Sequence, residues 1–209
     1  MELKTITATL LTGDTDLLNT QVKAALDAGT PPKKILNEAL IPGMDIVGEK
    51  MEAGEMFIPE VLMSAQAMSK VVEDLKPLLA EDDIVAVGKV VIGTVQGDLH
   101  DIGKNLVAMM LESAGFEVID LGVDVSPEKY VETIIANDAD FLALSTLLTT
   151  TMDMMKRTIR SVEEEGLKDK VKILVGGAPV NQRFADEIGA DGYAPDAGSA
   201  SKLAKSMMN

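Results

Sequence analysis

Cysteine and tryptophan are absent, histidine occurs once, and aromatic residues make up only 3% of the 209 residues. The lack of cysteine excludes disulfides, thiolate metal centres and thiol nucleophiles. With so few rings, the core must be built from Val, Ile, Leu, Ala and the 13 Met. Methionine reads in two ways, as a filler of core gaps or as a surface that repacks against a ligand or partners. Basic charge is also scarce: 19 Lys and Arg stand against 34 Asp and Glu, a formal net charge of −15. A nucleic-acid binder presents a basic face, so DNA and RNA are not expected partners; an acidic surface mainly favours solubility. No run of about 18 apolar residues occurs, so no membrane span is expected. The opening MELKTITATLLTGD carries an early acidic residue and a short apolar run, which does not read as a secretion leader. A cytoplasmic location is expected.

What is present is 46% hydrophobic, enough for one large domain or two small ones. From Leu3 to Ala80 the apolar spacing is helical. Leu17, Leu18, Val22, Ala25 and Leu26 recur every three or four residues, with Asp14 or Thr15 as N-cap and Gly29 as the stop. Pro31 and Pro32 open a second segment through Ile35, Leu36, Leu40, Met44, Val47 and Met51, with a kink expected at Pro42. A third starts near Pro59 and runs through Val61, Leu62, Ala65, Met68, Val71 and Leu75. With the first segment, this predicts a four-helix bundle over residues 1–83.

After Glu81-Asp82-Asp83 the period changes. Lys89–Val95, Glu117–Leu121, Asp140–Leu144, Val171–Val175 and, weakly, Gly192–Tyr193 read as strands separated by amphipathic helices. That alternation predicts an α/β fold, a flavodoxin-like, doubly wound, five-stranded parallel sheet over residues 88–209. A short acidic linker, Glu81 to Gly88, joins the halves.

After the first predicted strand stands Gly97-Asp98-Leu99-His100-Asp101-Ile102-Gly103-Lys104-Asn105. A lone loop histidine is most often an ordinary surface residue. Three features set this one apart. It is the chain's only histidine; it follows a buried strand, where doubly wound folds place ligands; and Asp98 can reach its second ring nitrogen, as a metal-binding imidazole requires. A phosphate loop is excluded, because Asp98 occupies the first glycine position and Asn105 the hydroxyl position; a dinucleotide fingerprint is excluded because Gly93 and Gly97 lack its spacing. A zinc centre lacks its usual ligand set. Gly176-Gly177 after the fourth strand reads as a turn or as clearance for something passing the sheet, and Gly103 as close helix–strand packing. Met51, Ile58 and Val61 taken alone read as bundle core.

The run Asp98-x-His100-x-x-Gly103 resembles the motif of cobalamin-binding domains. Ser145-Thr146-Leu147 matches that family's Ser-x-Leu, and Gly176-Gly177 its Gly-Gly, in the same order along the chain. The resemblance implies that His100 is the lower ligand of a corrinoid cobalt, displacing the cofactor's own base, and that the nucleotide tail enters a slot between sheet and helices. It implies contacts from Gly97, Leu99, Asp101, Gly103, Ser145, Leu147, Gly176 and Gly177. By similarity to the cobalamin module of methionine synthase, Asp98 bonds the ligand histidine and, with Thr151, is given the catalytic relay role. Thr149 and Ala197 fall at tail-contacting positions, and Asn37 stands where that enzyme has a corrinoid-contacting Glu. The stretch Gly43-Met44-Asp45-Ile46-Val47-Gly48-Glu49-Lys50-Met51, followed by Gly54-Glu55-Met56-Phe57-Ile58-Pro59-Glu60-Val61, resembles the family's helical cap. Met51, Ile58 and Val61 fall on positions that cover the upper face of the corrin.

Cap plus binding domain resembles the free-standing corrinoid proteins of methylamine, methanol, betaine and methoxyaromatic methyltransferase systems. The implied function is carriage of a methyl group, as methylcobalamin or a related corrinoid. A substrate-specific methyltransferase loads it, and a second methyltransferase passes the methyl to tetrahydrofolate or coenzyme M; a reductive activase is a further implied partner. Such a carrier subunit is not expected to be catalytic alone. The cap is expected to swing aside on the acidic linker. The alternatives are the small subunit of an adenosylcobalamin-dependent mutase, against which the cap argues, a cobalamin-dependent regulator, for which no DNA-binding segment is read, and a flavodoxin-like module of another kind.

Overall fold

The computed structural model describes residues 3–79 and 86–208. The chain divides into two compact units, Met1–Ala86 with Ser113–Gly115, and Val87–Glu112 with Phe116–Asn209. Most of the acidic linker, residues 81–85, lies outside the described residues.

The first unit is helical. Helix α1 spans Leu3–Leu10, α2 Thr15–Asp27, α3 Pro32–Ile35, α4 Ile41–Glu52 and α5 Ile58–Leu75. Asp14 is the N-cap of α2, its carboxylate accepting from Leu17 N at 2.9 Å, which satisfies one of the donors a helix start leaves free. Gly29 follows the helix end with φ +83°, the left-handed conformation that glycine adopts without a Cβ penalty. Leu18, Val22 and Ala25 form the buried face of α2; Leu17 is exposed instead of sharing it. The expected kink takes a defined form. Between α3 and α4 the helix widens into a π turn, Leu36–Leu40, in which Ile41 N–H reaches back to Leu36 O. Pro42 lacks an N–H and its ring would meet the carbonyl one turn back; the wider turn just before it accommodates that conflict. At the start of α5, Glu60 accepts from Phe57 N at 2.8 Å.

The second unit is a five-stranded sheet of β1 Lys89–Thr94, β2 Glu117–Asp120, β3 Phe141–Ser145, β4 Lys172–Gly176 and β5 Gly192–Tyr193, in the order β2-β1-β3-β4-β5. Every pairing is parallel. The connecting helices are α6 Ile102–Ser113, α7 Pro127–Asn137, α8 Met152–Glu164, α9 Gln182–Ile188 and α10 Ala197–Met207. Buried apolar runs fit a parallel sheet covered on both faces. One face carries Val91, Leu142, Leu144, Ile173 and Val175 against α7, α8 and α9. The order reverses between β1 and β3, and a doubly wound sheet opens its ligand crevice at such a point, beyond the strands' carboxyl ends.

Tyr130 of α7 is fully buried, and its hydroxyl has no hydrogen-bond partner among the described residues. Burial, assisted by the nearby Asp120 carboxylate, pushes its ionisation well above that of an ordinary phenol. It fits because β1 has a glycine there: a Cβ on Gly93 would lie 2.5 Å from the hydroxyl oxygen. Gly93→Ala is therefore expected to destabilise the protein by about 1–3 kcal/mol through overpacking. Tyr130→Phe, which removes an unpaired buried polar atom, is expected to be neutral or stabilising and to relieve part of the Gly93→Ala loss. Urea unfolding of the two single variants and the double variant checks this; an unchanged midpoint for Gly93→Ala contradicts it.

Candidate functional site

The loop after β1 turns sharply. Asp98 N–H donates to Val95 O at 3.1 Å, and Gly97 holds φ +84°, the positive value that the third residue of such a turn requires. The turn brings the Asp98 side chain into full burial, a position an ionised carboxylate holds only when its oxygens are bonded. Here they are. Oδ1 accepts from His100 N at 3.0 Å and lies 2.7 Å from His100 Nδ1. Oδ2 accepts from Leu147 N at 2.7 Å, from Thr146 Oγ1 at 2.8 Å, and at longer range from Leu148 N at 3.2 Å and Thr151 Oγ1 at 3.3 Å.

Burial alone would raise the Asp98 pKa. The N–H groups of Leu147 and His100, the His100 ring and the Thr146 hydroxyl together outweigh it and hold the carboxyl well below the usual range. Asp98 is thus a fixed anion and acts only as an acceptor. Nδ1 of His100 must then carry the hydrogen, and in the neutral ring Nε2 keeps its lone pair. The His100 side chain is 51% exposed while its carboxylate partner is 0% exposed. One nitrogen is held by the carboxylate, and among the described residues no hydrogen bond reaches the other. Thr94 Oγ1 adds a bond to His100 O at 2.8 Å, fixing the backbone as well as the ring.

Two residues of this arrangement have no role assigned by the motifs. The first is Thr146. The hydroxyls of Thr146 and Thr151 lie 2.6 Å apart, so Thr151 is linked to Asp98 through Thr146 as well as by its own longer bond of 3.3 Å. A buried hydroxyl at the end of a buried strand was the available signal. The second is Asp124, whose carboxylate accepts from Gly97 N at 2.7 Å; nothing in its local pattern marks it.

The other expected residues fall as follows. Ser145 is the register partner of both Thr94 and Gly176, so the ends of β1, β3 and β4 meet there. Leu147 continues from it, and Thr149 opens the 3-10 turn Thr149–Thr151 that presents Thr151. Gly177 is glycine for a reason internal to the protein: it holds φ +122°, and a Cβ there would come within 1.8 Å of Thr146 O. Gly103 shows the reverse. A Cβ on it meets nothing within 4 Å, so the packing explanation for Gly103 fails. Leu99, Asp101 and Ile102 are exposed around His100, with Leu99 at 71% and Ile102 at 77%. Ala197 is buried as the first residue of α10. In the helical unit, Val61 is buried, Met51 half-buried, and Ile58 and Asn37 exposed. Among the described residues no three His, Asp or Glu side chains gather to hold a metal ion.

Comparison with known proteins places this geometry. One family model described as a B12 binding domain matches residues 88–201, and a second with the same description matches residues 2–76. A corrinoid protein of Desulfitobacterium hafniense is 41% identical over 95% of this chain and 94% of its own length. The dimethylamine corrinoid protein of Methanosarcina barkeri is 46% identical over 85% of this chain and 84% of its own. Among solved structures, a chain of the methanol:cobalamin methyltransferase complex of Methanosarcina barkeri superposes with a TM-score of 0.86 at 33% identity, covering 97% of this chain and 78% of that one.

Removing the Asp98 carboxylate strands the donors around it. Asp98→Ala is expected to cost the ligand-free protein about 3 kcal/mol, the scale of losing charge-assisted bonds to buried donors. The sign with pH follows from the lowered folded-state pKa. The stabilisation is complete above the ordinary carboxylate range and is lost as pH falls toward the folded value. The stability difference between wild type and Asp98→Asn should therefore narrow by about 1 kcal/mol between pH 7 and pH 3. Denaturant unfolding at the two pH values measures it, and a gap that widens on acidification contradicts the assignment.

Proposed function

The chain belongs to the B12-binding corrinoid proteins, and from that premise we propose that it carries a methyl group between two methyltransferases, with His100 as the protein's ligand to the corrinoid cobalt. The observation that carries this reading is the single imidazole held on one nitrogen by a buried anion and open on the other. A bare metal ion needs several protein ligands. A metal already held by a cofactor ring would need a single protein donor, and His100 would supply it. Gly103, exposed and free of any internal packing demand, fits a surface that something must approach closely.

When bound, the corrinoid supplies a cobalt that takes up a methyl group and gives it up to an acceptor; such hard chemistry belongs to the cofactor, while the protein orients and tunes it. Asp98 fixes the tautomer and orientation of His100 and strengthens it as an electron donor. Thr146 and Thr151 hold Asp98 in turn, and a proton supplied at this end of the network would weaken the hold on the ring. Leu99 and Ile102 offer apolar surface on either side of His100. Gly97, Asp101, Gly103, Ser145, Leu147, Thr149, Gly176, Gly177 and Ala197 are the proposed contacts from the sheet unit, and Met51, Ile58 and Val61 those from the helical unit.

The relatives' names support the first proposed partner, a methyltransferase specific for a methylated amine or methanol that loads the carrier; a second one that unloads it to tetrahydrofolate or coenzyme M is proposed beside it. A reductive activase and a cytoplasmic location complete the proposal; no described helix is long and apolar enough to cross a membrane. The match of residues 2–76 to a B12-binding helical model weighs against the small subunit of a mutase.

His100→Ala tests the reading. Reconstituted with hydroxocobalamin, the variant is expected to lose the visible spectrum of the histidine-coordinated form and to bind at least about ten-fold more weakly. Thermal unfolding of the ligand-free variant should stay close to wild type, because the ring is half exposed. An unchanged spectrum and affinity would remove His100 from the cobalt.

A further inference from the structure

Among the described residues two non-glycine positions hold a positive φ, Asp124 at 54° and Asp138 at 50°. That conformation is costly for a side chain, and aspartate is among the few residues that visit it. Asp138 is explained by its place: it caps the end of α7, where its N–H returns to Ile134 O. Asp124 caps no helix end. It sits in the loop between β2 and α7, two residues before the N-cap Ser126. A strained residue persists where its surroundings over-determine it, and the bonds of Asp124 show what does so.

Its carboxylate accepts from Gly97 N at 2.7 Å, and its own N–H donates to Asp98 O at 3.0 Å. Those two partners are the consecutive residues that form the turn placing Asp98 under His100. The left-handed conformation lets one residue address both sides of that turn, with side chain and backbone. The far end of the same loop is tied to the same neighbour: Lys104, almost fully buried at the start of α6, pairs with Asp120 at the end of β2. Asp120 also accepts from Gly122 N at 2.8 Å. The stretch from Gly97 to Lys104 is therefore held at one end by a carboxylate of the β2–α7 loop and at the other by the carboxylate that ends β2.

We infer that Asp124 is a positioning residue for the cobalt ligand: it clamps the Gly97–Asp98 turn so that Asp98 meets Nδ1 and Nε2 is presented in one orientation. This rests on the reading of His100 as the cobalt ligand. It adds that the ligand loop does not hold its own geometry and depends on a bond from another loop. Three variants of the full chain separate this from a general role in folding. Asp124→Gly relieves the backbone strain but removes the acceptor. Asp124→Asn keeps an acceptor oxygen and a residue that tolerates the conformation. Asp138→Gly relieves the same strain far from the loop.

Each variant, grown with nitrogen-15 histidine, is loaded with hydroxocobalamin, its affinity is measured by absorbance titration, and the cobalt is reduced to cobalt(II) for electron paramagnetic resonance, where a two-fold splitting by the labelled nitrogen reports histidine coordination and a three-fold one the corrinoid's own base. Asp124→Gly is expected to lose about ten-fold in affinity, the scale of losing a supporting bond behind a metal ligand, and to show a reduced histidine-bound fraction. Its ligand-free thermal midpoint should lie close to that of Asp138→Gly, lower by no more than the loss of one hydrogen bond. Asp124→Asn should restore both affinity and the nitrogen signature. If Asp124→Gly binds with wild-type affinity and full histidine coordination, or if Asp124→Asn fails as badly as Asp124→Gly, the clamp is wrong. If wild type itself shows no histidine nitrogen, the failure lies instead in the reading of His100.

Discussion

A buried carboxylate is the constraint from which the rest of the site follows. Asp98 is fully enclosed and still charged, because backbone N–H groups and hydroxyls surround it. A negative charge in that position cannot be left without donors, so several elements must converge on it. The turn after β1 supplies Asp98 itself and the His100 N–H, and the segment after β3 supplies Leu147, Leu148, Thr146 and Thr151. These two strands are the neighbours at which the sheet reverses its order. The topology places the crevice, and the carboxylate ties its two walls together.

The same anion decides the chemistry of the histidine. A carboxylate that cannot take the proton makes Nδ1 the donor, so the open nitrogen is the one with the lone pair. Selection of a tautomer by a buried partner is a common device behind metal-bound imidazoles. Its effect here is a half-exposed imidazole whose Nδ1 is held in one orientation by the buried carboxylate. Among the described residues no group of three or more His, Asp or Glu side chains stands where it could hold a bare metal ion.

Much of this was legible in the residues. The central strands β1, β3 and β4 emerged from apolar runs, because a parallel sheet buried on both faces leaves little room for alternation, whereas the two-residue β5 was marked only weakly. Asp14 and Gly29 marked the ends of α2 through local chemistry that needs no tertiary context. His100 was legible because it is unique and follows a strand. The misses have a common physical cause. Thr146 stood inside a quoted motif, but only the fold brings its hydroxyl to an anion 48 positions earlier in the chain. Asp124 lies 27 positions from Gly97, and its conformation is imposed by that contact. Leu17 follows the helical period yet is exposed, since spacing alone does not fix where a buried face ends. Gly103 and Gly177 exchanged roles for a similar reason: glycines look alike in sequence, and only the surroundings reveal that Gly177 avoids a carbonyl while Gly103 avoids nothing inside the protein.

Because His100 is the only histidine, histidine labelling of the protein is labelling of a single residue. The most direct test of the account is electron paramagnetic resonance of the cobalt(II) corrinoid form, compared between ordinary protein and protein grown with nitrogen-15 histidine. Coordination by His100 predicts that each cobalt line, split into three by ordinary nitrogen, becomes split into two by the label. A pattern that remains three-fold, from the corrinoid's own base, or that shows no nitrogen splitting, would contradict it.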